Sequence, residues 1–445
     1  MFNVTQSALR LLLAAALALV PTLGDAQEAR PWTGENWVAT WATGPAGPPS
    51  NSQLLRFNQQ TVRLIVHTSI GGSQVRVRLS NEHGNSPLRI GAAHVALRIA
   101  GAVIVPGSDR VLTFSGSPTV VIPPRAPVLS DPVTLLVPPM SDLAVSLYFP
   151  GAAFGTTVHG LSYQTSYISV AGNYAGATSM PVQQAMTSWP FLTEIDVQSS
   201  FLDASIVAFG DSITDGASTI YDANHRWPDF LFRRLHAQQN SLSAATAEQN
   251  SLLAQRALGV ANRGIGGNRL LRTLPSSTVG PAGLVRFDRD VLAAAGVEYL
   301  IVLLGINDIG FAGAFTPASE AVKAEDLIAG YRQLIARAHA KGIVVFGGTL
   351  TPFEGTGVPG FYTADKEAVR QAVNAWIRTS NEFDAVIDFD LAIRDPGNPA
   401  RILPVFDSGD HLHPNDAGMQ AMANAIPLSL FSDFAFAKLR QTPGK

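Results

Sequence analysis

The chain has 445 residues, 46% of them hydrophobic and 15% charged, with a formal net charge of −3 and no cysteine. Such a composition excludes a disordered chain and a disulfide scaffold, and at ~100–200 residues per domain it predicts more than one domain. The 31 basic and 34 acidic residues are spread along the whole length, without the clustered Lys/Arg footprint of a nucleic-acid surface, so nucleic acid is not an expected partner.

Residues 1–26 read as a signal peptide. Arg10 precedes the apolar run Leu11 to Val20, followed by Pro21 and the small-residue stretch Gly24-Asp25-Ala26. The run is too short to span a bilayer, and a buried helix in its place would need a polar face that it lacks. Without cysteine there is no lipid-modified thiol. The expectation is a secreted or periplasmic protein with no integral membrane anchor.

From 32 to 185 the chain alternates at period two, as in Thr61-Val62-Arg63-Leu64-Ile65-Val66, Gln74-Val75-Arg76-Val77-Arg78-Leu79 and Leu143-Ala144-Val145-Ser146-Leu147-Tyr148. Turn signals at Gly71-Gly72, Pro123-Pro124 and Pro138-Pro139 punctuate it. This predicts a β-sandwich of jelly-roll type that carries no catalytic residue and serves as support or substrate capture. The stretch 186–204 has no clear period and is expected to be a connection.

The segment 205–436 changes grammar, with a tail at 437–445. Short apolar runs at 206–209, 260–261, 299–304, 343–346 and 385–388 alternate with helical periods at 228–235, 287–295, 320–341 and 365–380. An Ala/Gln/Ser-rich insert spans 237–255. The pattern predicts an open α/β parallel sheet with helices on both faces, whose ligands gather beyond the carboxyl ends of the strands.

Four polar segments follow in that position: Gly210-Asp211-Ser212-Ile213-Thr214-Asp215-Gly216, Asn262-Arg263-Gly264-Ile265-Gly266-Gly267-Asn268, Gly305-Ile306-Asn307-Asp308 and Asp410-His411-Leu412-His413-Pro414. A serine at a strand end becomes a nucleophile when a histidine takes its proton, and His413 is the candidate base. Asp410, three residues earlier, can orient the ring. The backbone N–H groups of Ser212 and Gly267 and the amide of Asn307 are candidate donors to an oxyanion. A serine after a strand more often only caps a helix; here the company of Asn307, Asp410 and His413 argues for chemistry. Asp211 and Asp308 are expected to bond loop backbone, and His225, Arg226 and Trp227 to start a helix before Pro228. Asp407, Asp410, His411 and His413 lie too close together in one loop to form a metal site, so no metal or cofactor is expected. No Gly-x-Ser-x-Gly elbow is present, against the α/β-hydrolase fold.

These four segments resemble the four blocks of the SGNH/GDSL hydrolases over about 205 to 431. The resemblance implies a flavodoxin-like three-layer α/β/α domain, a carboxylic ester hydrolase, Ser212 as nucleophile, His413 as base, Asp410 as its orienter, and Gly267 and Asn307 completing the oxyanion hole. Gly267 is chosen over Gly264 and Gly266 because it falls five residues after Asn262. A β-sandwich ahead of such a domain looks like the arrangement in some polysaccharide-acting members.

The loops 213–221, 264–274 and 309–315 show no long apolar lining. They predict a short acyl group on a carbohydrate, with efficiency falling from acetyl to octanoyl esters and with Tyr221 and Trp227 able to stack on sugar rings. The expected substrates are small esters or an acylated polysaccharide. A lysophospholipase or thioesterase is the alternative, and a carbohydrate-binding protein with an inactive hydrolase half is the alternative of another class.

Overall fold

The alternation of the N-terminal half becomes two antiparallel sheets. In one, the strands run in the order Val182–Met186, Ser166–Ala171, Gln60–His67, Asp142–Phe149, Ala92–Ala100 and Val103–Ile104. Val145 stands opposite both Leu64 and Val95, and the residues two positions away repeat the pattern, so one face is a continuous apolar surface. The other sheet runs Asn36–Ala42, Leu192–Ser199, Gly72–Ser80 and Pro127–Leu129. Val75, Val77 and Leu79 share one buried core with Leu64, Val95 and Leu147, as a sandwich requires. This is a computed structural model, and it describes residues 36–48, 54–245, 256–274 and 276–432. The signal peptide expected at 1–26, the tail at 437–445 and the later part of the insert lie outside the described residues.

One expected element is corrected. The stretch 186–204 is no mere connection, because Leu192–Ser199 is an inner strand, paired to Asn36–Ala42 on one side and Gly72–Ser80 on the other. The alternation Glu194-Ile195-Asp196-Val197-Gln198 is present but short, and its charged positions are covered as fully as its apolar ones. Ile195 and Val197 enter the sandwich core, while the alternate residues Glu194 and Asp196 are buried against Arg263 and Arg76.

The second half is a five-stranded, wholly parallel sheet in the order Leu258–Gly264, Ala204–Gly210, Val297–Leu303, Val344–Gly348 and Ala385–Ile387. By chain position that order is 2-1-3-4-5, the flavodoxin-like one, with its switch point beside the first strand. The helices Trp227–Ala245 and Asp416–Asn424 pack together, as do Ala324–His339 and Ala364–Thr379. Where 287–295 was expected to be helical, a short helix Gly283–Phe287 passes into a π-type turn.

The described residues fall in a single compact unit. Ala39 N–H donates to Ala295 O at 3.0 Å and Val260 N–H donates to Ser69 Oγ at 3.0 Å. A Cβ on Gly259 would lie 2.4 Å from Ala39 O, so glycine is what allows the sandwich to sit this close. Arg263, buried, donates to the carbonyls of Thr43 and Thr193 and pairs with Glu194.

Candidate active site

The first parallel strand ends at Gly210, where a Cβ would fall 2.1 Å from Thr214 Oγ1 and 2.6 Å from Leu303 O. Only glycine lets the following turn fold back over the strand end. That turn is the short helix Ser212–Asp215, capped by Asp211 Oδ1, which accepts from Ile213 N–H, and closed by Gly216 at φ 99°. Asn262 on the neighbouring strand donates to Thr214 O at 2.7 Å and accepts from Gly264 N–H at 2.8 Å.

Ser212 Oγ lies 2.8 Å from His413 Nε2. On the other side of the ring, Nδ1–H donates to Asp410 Oδ2 at 2.6 Å. Asp410 Oδ1 also accepts the N–H groups of Leu412 and His413 at 2.9 and 2.8 Å, which folds the loop so that the imidazole must face Ser212. Burial opposes the charge on Asp410, but the bonds from His413 and the backbone outweigh it and hold this carboxyl well below its usual range. The tautomer is set: Nδ1 carries the hydrogen and Nε2 is left to accept from the serine hydroxyl.

Among the three glycines after the second strand, Gly264 is packed against the backbone of Asp215, and the N–H of Gly266 donates to Asp215 Oδ2 at 3.1 Å. Gly267, at φ 71°, lines the cavity at Ser212. Asn307 lines it too; its Nδ2 donates one hydrogen to Asn268 O at 3.0 Å and keeps a second. The five residues singled out in the sequence therefore meet at one cavity.

Asp211 and Asp308 bond backbone as expected. Both oxygens of Asp308 accept N–H groups, from Leu270 at 2.6 Å and Leu271 at 2.9 Å. Burial pushes the Asp211 carboxyl up to about 7 and that of Asp308 up to about 6. His411 forms its own pair with Asp407, 2.5 Å apart, separate from His413.

Sequence reasoning missed three contributors. His159 of the β-rich half is buried, with Nε2 2.8 Å from Asp215 Oδ1 and Nδ1 donating to Gly44 O at 3.0 Å. Burial disfavours its charge, but Asp215 and the Gly44 carbonyl outweigh that and raise its pKa. Arg226 does more than start a helix: it donates to Asp215 O at 2.9 Å and to Ser162 O. Arg286 lies 4.0 Å over the Phe209 ring and donates to Gly210 O, Arg263 O and Asp290, tying together strand ends around the site. Of the three, only Arg286 stands in an apolar run, Leu284-Val285-Arg286-Phe287, and such a signal does not name a partner.

Trp227 is corrected. It has no exposed surface, and its Nε1–H reaches Thr214 Oγ1, so it cannot stack on a sugar. The cavity, about 800 Å³, is also more apolar than the three loops suggested. Leu55, Val158, Val279, Val358 and Phe361 come to it from segments outside those loops.

Residues 208–421 match the GDSL-like lipase/acylhydrolase family. No curated protein matches the chain. Among solved structures, it is similar to the native aryl esterase of M. smegmatis, at 17% identity over 52% of this chain and 99% of that one, TM-score 0.37. A GDSL-like lipase from Bacteroides thetaiotaomicron follows at 17% over 53% and 88%, TM-score 0.32. An acetyl xylan esterase is similar at 19% over 52% and 98%, TM-score 0.33.

Proposed function

We propose that the protein is a serine ester hydrolase working through Ser212, His413 and Asp410, a reading supported by the match of residues 208–421 to the GDSL-like lipase/acylhydrolase family. The observation that carries this is the continuous chain of hydrogen bonds from Ser212 Oγ through His413 to Asp410, at 2.8 and 2.6 Å, opening on the large cavity.

Ser212 Oγ attacks the ester carbonyl carbon while its proton passes to His413 Nε2. The carbonyl oxygen becomes an oxyanion, received by the N–H groups of Ser212 and Gly267 and the free amide hydrogen of Asn307. Asp410 steadies the imidazolium. Collapse breaks the bond to the alkoxy oxygen, which takes the proton from His413 and leaves as the alcohol. Water then adds to the acyl-Ser212 carbonyl, again giving its proton to His413, and the acid departs as Ser212 Oγ recovers that proton. The net change is ester plus water to acid plus alcohol.

The finer reading from the sequence, an exported enzyme releasing short acyl groups from a carbohydrate, draws on residues 1–26 and on the polar loop residues around the site. The apolar cavity wall favours a second reading, an ester bearing a larger hydrocarbon group. No helix among the described residues is long and apolar enough to cross a membrane.

The test is labelling with a fluorophosphonate and hydrolysis of p-nitrophenyl acetate by the purified protein. Adduct mass on the peptide carrying Ser212, with loss of label and turnover in Ser212→Ala, supports the proposal. Label on another serine, or a protein that binds glycan without hydrolysing any ester, overturns it.

A further inference from the structure

The segment from Val158 to Tyr163 belongs in sequence to the β-rich half, yet it is fastened to the chain that follows Ser212. His159 is held by Asp215, whose second oxygen holds Gly266. Because Gly44 O can only accept, His159 Nδ1 carries a hydrogen, and the Nε2–carboxylate bond shares one further proton; the buried pair has no net charge to solvate. Arg226 adds its bond to Ser162 O. Asp222 N–H donates to Tyr163 O at 3.0 Å, and its carboxylate accepts from Thr165 N–H at 2.6 Å and Thr165 Oγ1 at 2.7 Å. Asp215, Asp222 and Arg226, all following Ser212, thus fix residues 159–165 of the sandwich in place, so what this stretch presents to the cavity is pre-organised.

What it presents is hydrocarbon. Leu161 is 49% exposed, and its Cδ1 comes within 3.4 Å of the position a Cβ would take on Gly266, beside the glycine proposed to bind the oxyanion. Val158 and Leu55 continue that lining. The same cavity is lined by Phe311, Phe315 and Phe361, whose rings form one edge-on cluster with centroids 5.0 to 6.4 Å apart. Phe315 is 61% exposed. Leucine and phenylalanine left open in the cavity that Ser212 also lines are surface that a ligand is positioned to cover.

We propose that Leu55, Val158 and Leu161 of the β-rich half and Phe311, Phe315 and Phe361 of the α/β half together form an apolar subsite of the Ser212 cavity that takes a medium-length hydrocarbon group of the ester. The inference rests on the serine-hydrolase reading and makes the β-rich half part of the substrate site. The hydrocarbon can belong to the acid or to the alcohol; the chemistry of recognition is the same, and the assay separates the two.

The experiment compares kcat/KM for ethyl acetate, methyl octanoate and octyl acetate by titrating released acid, in the wild type and in Leu161→Asp, Phe315→Asp and Ser212→Ala. At about fourfold per buried methylene, one or both long esters should exceed ethyl acetate by at least ~100-fold. A preference for methyl octanoate assigns the subsite to the acyl group; a preference for octyl acetate assigns it to the alcohol. Leu161→Asp and Phe315→Asp, checked for unchanged melting temperature, should each cut the ratio of long to short ester by at least ~10-fold. Should one variant fail to fold, the other carries the comparison from the opposite half of the molecule. Ser212-dependent hydrolysis with no preference for the long esters, or a ratio that neither folded variant moves, overturns the subsite while leaving the serine hydrolase intact. Hydrolysis that survives in Ser212→Ala, or none with any ester, overturns both.

Discussion

Ser212 Oγ and His413 Nε2 lie 2.8 Å apart although 201 positions of sequence separate them. Ser212 stands at the end of the first strand of the parallel sheet, in the layer where its turn must fold back over Gly210. His413 comes from the loop before the helix Asp416–Asn424, and Asn415 pins that loop by donating to the carbonyls of Val405 and Asp407 at 3.0 Å each. The two meet because both loops empty onto the same edge of the sheet.

Removal of either partner should be severe and unequal to loss of the third. Ser212→Ala and His413→Ala are each expected to lower kcat by about 10⁶, with far-ultraviolet circular dichroism unchanged. Asp410→Asn should retain roughly 10- to 100-fold more activity than these. Its amide can still accept from the Leu412 and His413 N–H groups, but it presents N–H to Nδ1 and so favours the tautomer in which Nε2 cannot accept from Ser212. Single-turnover kinetics on p-nitrophenyl acetate would check the order.

The oxyanion donors predict a different signature. Asn307→Ala should reduce kcat by about 10²–10³ with little change in KM, since the lost bond strengthens only as charge develops on the carbonyl oxygen. At Gly267, alanine must adopt φ 71° and bring a Cβ within 2.7 Å of Val279 Cγ1, so the loop shifts and kcat falls as well. A rise in KM with kcat preserved would count against both roles.

Stability should vary with pH through Asp211. Its native carboxyl is pushed up to about 7 by burial, against 3.8 for the ordinary group. Between about pH 4 and 7 the folded protein therefore binds more protons than the unfolded chain, and stability declines as pH rises through that window. Asp211→Asn keeps the cap acceptor for Ile213 N–H and stays neutral. Denaturant midpoints should show a shallower decline for the variant, and greater stability than wild type at pH 8. Asp308, pushed up to about 6, leaves a residual slope in both.

The seam between the halves makes its own prediction. Arg263 and Glu194 are both buried and paired across it, so Arg263→Met should destabilise by about 3 kcal/mol, leaving the Glu194 carboxylate with only Arg78 at 3.5 Å and the Ala295 N–H at 3.3 Å. Replacing Glu194 with Leu in the same chain should recover most of the lost melting temperature. A fragment starting at Ser200 should fail to fold to a cooperative unit, because Val260 N–H, the Arg263 guanidinium and the apolar surface beneath Asn36–Ala42 would all lose their partners.

The sequence alone determined the alternation of the first half, the five apolar runs of the second and the residues Ser212, Gly267, Asn307, Asp410 and His413. Each rests on local chemistry: side-chain period, turn residues, and polar groups placed just past strand ends. At Leu192–Ser199 the alternation Glu194-Ile195-Asp196-Val197-Gln198 is too short to mark an inner strand, and the burial of Glu194 and Asp196 against Arg263 and Arg76 is not written in it. Only the tertiary structure decided which groups from the sandwich reach the site. His159 finds Asp215 across 56 positions, Arg226 finds Ser162 across 64, and Leu161 settles beside Gly266. A residue pattern reports whether a side chain is buried, through the hydrophobic cost of exposing it. It does not report against what, because partners of this kind are chosen by how two sheets and their loops pack, and many packings satisfy the same local pattern.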